Sequence, residues 1–385
     1  MSFGSALELS VKTSDATRTS ASALADNLMS YGLTDGVLPS PYWWWESAGV
    51  LNTMVHYSHY TQDYTHDETV ANAIGGQAGS GNDFMGAQTL GNDDQLWWGL
   101  LALTAAEYNF RVPSSGVPYL QMAQNVYDQV QGRWDSAVCG GGLRWQIANS
   151  ADNTYKNAIS NGLFFQLAAR LARYTGDTRY TTEATNVWNW VSSVGLIDKS
   201  NLNVYDGTST IDGCTSLDHD QWSYNAGAYL YGAAVMLDVT GDTATWQPRV
   251  AGLVTAVSSA FSADNVLQEM CEAVGTCNVD QKSFKAYTSR WLAATAAMVP
   301  AVAAQIQPLL DGSVSGAVKA CSPDANGDND GVCGLKWTID GDDQQYGVGQ
   351  QIAALEIVQG QLAAGRPLPS KANALKRMVE RRFVA

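Results

Sequence analysis

Gly91-Asn-Asp-Asp-Gln-Leu-Trp-Trp-Gly-Leu-Leu-Ala-Leu-Thr-Ala-Ala-Glu-Tyr108 starts on polar residues and then runs apolar with no polar stripe. Its length and composition predict a helix, and a helix apolar on every side must be buried on every side. Five further segments read the same way: Pro41–Tyr60, Asn157–Tyr174, Trp222–Val239, Tyr287–Val299 and Gln345–Val358. Amphipathic segments lie between them. Tyr119, Ala123, Val126, Val130 and Trp134 mark one helical face, and Val250, Leu253, Val254, Val257 and Phe261 another. Others are expected near Ala16–Tyr31, Asp67–Ile74, Tyr180–Val194 and Ala301–Leu310. Strand signals are poor.

Buried and half-buried helices thus alternate, with a repeat of about 64 residues that suits a helical hairpin. The turns echo one another: Tyr60-Thr-Gln-Asp63, Tyr174-Thr-Gly-Asp177 and Val239-Thr-Gly-Asp242 each follow an apolar helix. Glycine can end the first helix and aspartate cap the next. The reading is all-α, an (α/α)6 barrel of six inner and six outer helices. One domain over residues 1–385 is expected, with 361–385 a basic tail. An open helical array is the rival.

In a closed ring all inner helices run the same way, so their N-termini gather at one end. Polar and aromatic residues cluster there: Trp43-Trp-Trp-Glu46, Asn92-Asp-Asp-Gln95, Tyr155-Lys-Asn-Ala-Ile-Ser-Asn161, Asp218-His-Asp-Gln-Trp-Ser-Tyr-Asn225, Ser283-Phe-Lys285 and Asp342-Asp-Gln-Gln-Tyr346. Several independent segments feeding one opening is how a ligand cleft is built. The 13 Trp and 17 Tyr supply flat faces with a polar edge, suited to stacking on sugar rings.

Net charge is −15, which argues against a nucleic-acid partner. From Arg366 onward six Lys or Arg face one Glu, a net of +5, leaving −20 on the body. No run of about 20 apolar residues could span a membrane. Six cysteines without a C-x-x-C spacing point to disulfides and an oxidising compartment. Cys271/Cys277 and Cys321/Cys333 would close short loops, and Cys139/Cys214 is what remains among 15 connectivities.

Asp93 and Asp94 open the quoted helix. Two close carboxylates resist double ionisation, so one keeps a proton near neutrality. Glycosidic cleavage uses such a pair as nucleophile and general acid/base. An Asn-Asp-Asp start is also ordinary capping chemistry, but charges opening a wholly apolar helix are costly unless used or solvated. Asp342 and Asp343 form a second pair, read as opening the last inner helix, and spacing alone does not rank the two. Three consecutive tryptophans at 43–45 spread over about 200° of a helix, so at least one should line the cleft. Asp324-Ala-Asn-Gly-Asp-Asn-Asp-Gly331 partly matches a calcium loop but lacks the closing Glu; a disulfide-closed polar loop is the preferred reading. No cofactor and no metal site are expected, and His219 is read as a bystander.

These residues resemble glycoside hydrolase family 76, and most closely its fungal GPI-anchored Dfg/Dcw-type branch. The resemblance is carried by Gly91-Asn-Asp-Asp-Gln-Leu-Trp-Trp98, Trp43-Trp-Trp-Glu46, Gly142-Leu-Arg-Trp-Gln146, Tyr155-Lys-Asn-Ala-Ile-Ser-Asn-Gly162, Ala169-Arg-Leu-Ala-Arg-Tyr-Thr-Gly176 and Gln221-Trp-Ser-Tyr-Asn225. It runs from about Lys12 to Gly360. It implies an (α/α)6 barrel, with Asp93 as nucleophile, Asp94 as general acid/base and retention of configuration. The implied activity is a retaining α-1,6-mannosidase or transglycosylase. Its substrate would be a mannose-containing GPI glycan and its acceptor a wall polysaccharide. Candidate substrate-binding residues are Trp44, Trp45, Glu46, Asn92, Gln95, Trp145, Asn157, Asn161, Gln221, Trp222, Tyr224, Asp342 and Asp343. A secreted, wall-associated monomer is expected, touching a membrane only through a GPI anchor whose signals this chain does not show. The competing readings are a non-catalytic glycan-binding wall protein and a metal-dependent helical lyase or cyclase. The second of these lacks further acidic residues one turn beyond each Asp pair.

Overall fold

The computed structural model describes residues 9–147, 153–321 and 331–371. Its helices are α1 Ser14–Ser30, α2 Trp44–Thr61, α3 Asp67–Gln77, α4 Asn92–Glu107, α5 Tyr119–Gln131, α6 Ala158–Thr175 and α7 Thr178–Val194. They continue with α8 Ser223–Thr240, α9 Thr243–Ala260, α10 Met270–Val274, α11 Phe284–Met298, α12 Pro300–Ala320 and α13 Val348–Gly360.

Helices α2, α4, α6, α8, α11 and α13 each pack on the next, and α13 returns to α2. That last contact closes the ring and excludes the open array. Outside it, α3 covers α2, and α5 lies against α4 and α6. Helix α7 lies against α6 and α8, α9 against α8 and α12, α12 against α11 and α13, and α1 against α13 and α2. The ring helices are the segments apolar all round: every residue of α13 is buried, as is almost all of α4 and α6. The outer helices bury one face, as Tyr119, Met122, Ala123, Val126, Tyr127 and Val130 do in α5. The architecture is an (α/α)6 barrel.

Turn chemistry follows the sequence in two of the three echoes. Gly176 and Gly241 end α6 and α8 in the left-handed conformation, and Asp177 and Asp242 cap α7 and α9. At the first echo Gln62 takes the left-handed position, and Asp63 binds Thr65 instead of capping α3. All three disulfides form: Cys139–Cys214, Cys271–Cys277 and Cys321–Cys333. Of the calcium-like loop, Asp324 to Asp330 lie outside the described residues.

The lumen is filled. Arg170 pairs with Glu107 at 2.7 Å and Arg290 with Glu356 at 2.7 Å, all four side chains almost wholly buried. Around them Asn52, His56, Thr104 and Gln166 leave a cavity of about 10 Å³. Below this layer the chain after α13 crosses the base of the barrel. Arg366 binds the carbonyl of Tyr60, Pro367 approaches His59, and Pro369 accepts from Arg173. Ser370 donates to Glu107, and Lys371 pairs with Asp238. Each of these partners sits at the C-terminal end of an inner helix.

A three-stranded antiparallel sheet stands at the other end: β1 Tyr155–Asn157, β2 Gly207–Ser209 and β3 Leu217–Asp218. A two-stranded hairpin, β4 Ser262–Ala263 with β5 Val266–Leu267, precedes α10. These short strands arise in the loops feeding the cleft, where few residues carry a periodic signal.

Candidate active site

The N-terminal ends of the inner helices surround a cleft of about 590 Å³. Asp93 and Asp94 lie in its floor, in the first turn of α4, where the helix dipole favours negative charge. Four hydrogen bonds fix them. Asp93 Oδ2 accepts from Asn157 Nδ2 at 3.1 Å and Asp93 Oδ1 from the Asp94 amide at 3.0 Å. Asp94 Oδ2 accepts from the amides of Gly91 at 2.7 Å and Leu90 at 3.2 Å. Glycine at 91 is required by close approach: a Cβ there would fall under 3.0 Å from Asp93 Oδ1 and 3.4 Å from Asp94 Oδ2. The two oxygens are therefore less than 6.4 Å apart, the sum of those distances.

Burial pushes both carboxyls up, and the charge on Asp94 adds to the rise at Asp93, which reaches about 8. Asn157 and the amides of Leu90 and Gly91 oppose these shifts. Burial and mutual repulsion thus oppose ionisation of both carboxyls at once, and the titration of so close a pair belongs to both residues.

Asn157 is held in turn. It caps α6 through Ser160, and Asn161 ties it down by donating to its carbonyl at 2.8 Å. Strand β2 brings Asp206 alongside, with the Ala158 amide donating to the Asp206 carbonyl at 2.6 Å. Tyr155 donates to Asp206 Oδ2 at 2.7 Å, and Asn225 to Asp206 Oδ1 at 3.3 Å. Burial raises the Asp206 carboxyl, and likewise that of Asp280 on the far wall. Aromatic faces complete the cleft. Tyr224 stacks on Phe284 at 3.8 Å, Trp222 meets Phe284 edge-on, and Trp45 stacks on Trp97 at 5.2 Å. Among the described residues no lysine or arginine lines the cleft. Such a surface repels an anionic ligand and suits a neutral or cationic one.

Of the candidate residues, the cleft brings together Asp93, Asp94, Trp45, Trp145, Asn157, Trp222 and Tyr224. The others lie outside its lining, each for a physical reason. Trp44 is turned outward, stacked on Trp98 and bonded to Gln77. Glu46 is buried, accepting from the Trp43 amide, and desolvation raises its carboxyl to about 8. Asn92 and Gln95 share the α4 face opposite the lumen, where both accept from Arg133. Asn161 bonds both backbone groups of Leu143. Gln221 is half-buried on the loop before α8.

Asp342 and Asp343 do not open α13, which starts at Val348. Asp343 accepts from the amides of Leu335, Lys336 and Gln345, and Asp342 from the Gln344 amide and Tyr346, so the pair organises a loop. Asp206 and Asp280 are cleft carboxylates that no motif marks in the sequence. Asp280 lies three residues before the polar Ser283–Lys285 stretch, so a wider window on that segment would have reached it. His219 meets Tyr205 edge-on, and the cleft lining does not include it.

The glycosyl hydrolase family 76 profile matches residues 12–373. Mannan endo-1,6-alpha-mannosidase DCW1 of Saccharomyces cerevisiae is 39% identical over 96% of this chain and 84% of its own. The crystal structure of Dfg5 from Chaetomium thermophilum, in complex with glucosamine, superimposes with a TM-score of 0.90 at 34% identity, covering 95% of each chain. An inactive variant of the α-1,6-mannanase GH76A of Salegentibacter, in complex with α-1,6-mannotriose, has the same fold: TM-score 0.73, 17% identity, 90% of this chain and 99% of that one. A ring of six buried helices, two carboxylates at one helix start and a match over nearly the whole length lead to one conclusion: this chain belongs to glycosyl hydrolase family 76.

Proposed function

We propose that this protein cleaves α-1,6-mannosidic bonds with retention, and passes the released glycosyl group to a sugar hydroxyl as well as to water. The carrying observation is the Asp93–Asp94 pair in the floor of an aromatic, cation-free cleft. Curated relatives that align over most of this chain are mannan endo-1,6-alpha-mannosidases. The carboxylate spacing supports retention, because inverting enzymes separate their carboxyls by about 6.5–9.5 Å to admit a water.

In this reading Asp93 attacks the anomeric carbon as a carboxylate. The glycosidic C–O bond breaks, and a proton passes from Asp94 to the departing oxygen. In the second step water or a sugar hydroxyl gives its proton to Asp94, bonds to the anomeric carbon and frees Asp93. Asn157 orients Asp93, while Trp45, Trp222 and Tyr224 supply stacking faces. The acidic lining adds a substrate preference. For the sugar units seated in the cleft itself, a free amine is favoured over a phosphate or carboxylate, consistent with the glucosamine held by the Chaetomium relative. A mannose-containing GPI glycan is the natural donor on this reading, with wall polysaccharide as acceptor. Three disulfides fit an extracellular setting.

A product time course on an α-1,6-linked mannotetraoside tests the proposal, with products resolved by size and anomer. Shorter products of retained configuration, absent with Asp93→Asn, are expected, and longer ones report transfer. Products of inverted configuration, or equal turnover by Asp93→Asn, would refute it.

A further inference from the structure

The cleft has two unlike flanks, and the hydrogen bonds of the aspartate pair say which is which. Asp93 is bonded to Asn157, beside Asp206, Tyr155 and Asn225. That flank is walled by Tyr224 stacked on Phe284. Asp94 is tied to a different segment. Its Oδ2 sits under the amides of Leu90 and Gly91, a stretch bound to the segment carrying Trp145. The Asn92 amide donates to the Trp145 carbonyl at 2.7 Å, the Ile147 amide to the Leu90 carbonyl at 2.9 Å, and the Trp145 amide to the Tyr155 carbonyl at 2.8 Å.

Trp145 is thus fixed by its backbone on both sides while its indole stays 45% exposed, beside Leu90 at 64%. Ten of the 13 tryptophans pack against another aromatic ring, face-on, tilted or edge-on, and Trp337 faces Lys285. Trp43 and Trp145 alone do neither among the described residues, and both line the cleft. Trp43 stands instead at the start of α2, its amide bonded to Glu46.

We propose that Trp145, with Leu90, is the shelf that holds the leaving saccharide in the first step and the acceptor saccharide in the second. The inference rests on the glycosidase reading above. A general acid must reach the departing oxygen, so the departing sugar lies on the side of Asp94, and the incoming hydroxyl later takes the same place. A flat, apolar, solvent-open indole is suited to the face of a neutral hexose and admits a long chain. The enclosed flank around Asn157 and Asp206 takes the glycosyl group that becomes attached to Asp93. The glycan therefore lies with its reducing-end portion over Trp145.

The test compares kcat/KM for an α-1,6-mannotetraoside with kcat/KM for α-mannosyl fluoride, whose leaving group needs no shelf. Trp145→Ala should lower the tetraoside-to-fluoride ratio about tenfold, the size of one lost stacking contact. Trp145→Phe should restore most of it, and Trp43→Ala should move it less. An unchanged ratio in Trp145→Ala, or turnover of the fluoride but not the tetraoside by the unmodified protein, would overturn the shelf alone. Turnover of neither substrate by the unmodified protein would refute the glycosidase reading, and the shelf with it.

Discussion

Replacing Gly91 by alanine should separate catalysis from folding. Gly91 has φ −109° and ψ 158°, extended backbone open to any residue, so alanine brings no conformational strain. By limiting the unfolded chain it should even stabilise by about 0.4–1 kcal/mol. The methyl group has nowhere to go, however. It would overlap Asp93 Oδ1 and touch the Trp145 carbonyl at 3.3 Å and Asp94 Oδ2 at 3.4 Å. Main chain holds the carbonyl, so the Asp93 carboxylate must give way by roughly 1 Å, and such a misplacement costs on the order of 100-fold in rate. Its bond to Asn157 is lost in the same movement. The expected result is kcat on the mannotetraoside down about 100-fold or more, with the melting temperature within a few degrees of the parent. Calorimetry and initial rates on one preparation suffice. A Gly91→Ala protein with kcat within threefold of the parent would refute the placement of Asp93 as attacking group.

Asn157→Ala removes a donor that favours ionised Asp93, so the acidic limb of the kcat/KM profile should move to higher pH, with kcat/KM at pH 6 down about 10–100-fold. An unmoved limb would contradict that role. Burial pushes Asp93, Glu46 and Glu269 each up to about 8, whereas unfolded carboxyls titrate near 4. Between about pH 4 and 8 the folded chain binds more protons than the unfolded one. These groups thus stabilise below pH 4 and lose that contribution as pH rises to 8. Melting temperature should fall from pH 5 to pH 8, and a rise would contradict the desolvation argument. Arg290→Met strands Glu356 in the lumen and should cost about 3–5 kcal/mol in urea unfolding. Arg290→Met with Glu356→Leu should recover most of it, and a double variant no better than the single would show the cost is packing.

The ring was legible because burial on all sides leaves an unmistakable composition. Each of the six apolar segments matches an inner helix to within a few residues, and each amphipathic one overlaps an outer helix, although α9 starts well before Val250 and α12 runs on past Leu310 to Ala320. What escaped was rotation about the helix axis. Trp44 and Trp45 are chemically identical in sequence, and about 100° of helical phase sends one to Trp98 and the other into the cleft. Asn92 and Gln95, one turn apart, meet Arg133, which no spacing in their own motif reveals. Asp342 and Asp343 look like a helix start because Asp-Asp is good capping chemistry, yet the carboxylates are used on loop amides first. Asp206 immediately precedes β2, and it is the pairing of β2 with the sequence-distant β1 that brings it beside Tyr155 and Asn157.

The base of the barrel is sealed by the segment Arg366–Lys371, which is laid across the ends of four inner helices. Lys371, the last described residue, therefore lies at the pole opposite the cleft. Any support gripping the protein by that side would hold it upright, like a cup on its foot. Inner helices of 18 residues, such as α6, rise about 27 Å, so the opening would stand at least that far from the support and face outward. Long polymers lying above could then reach the shelf at Trp145 without the barrel having to turn over.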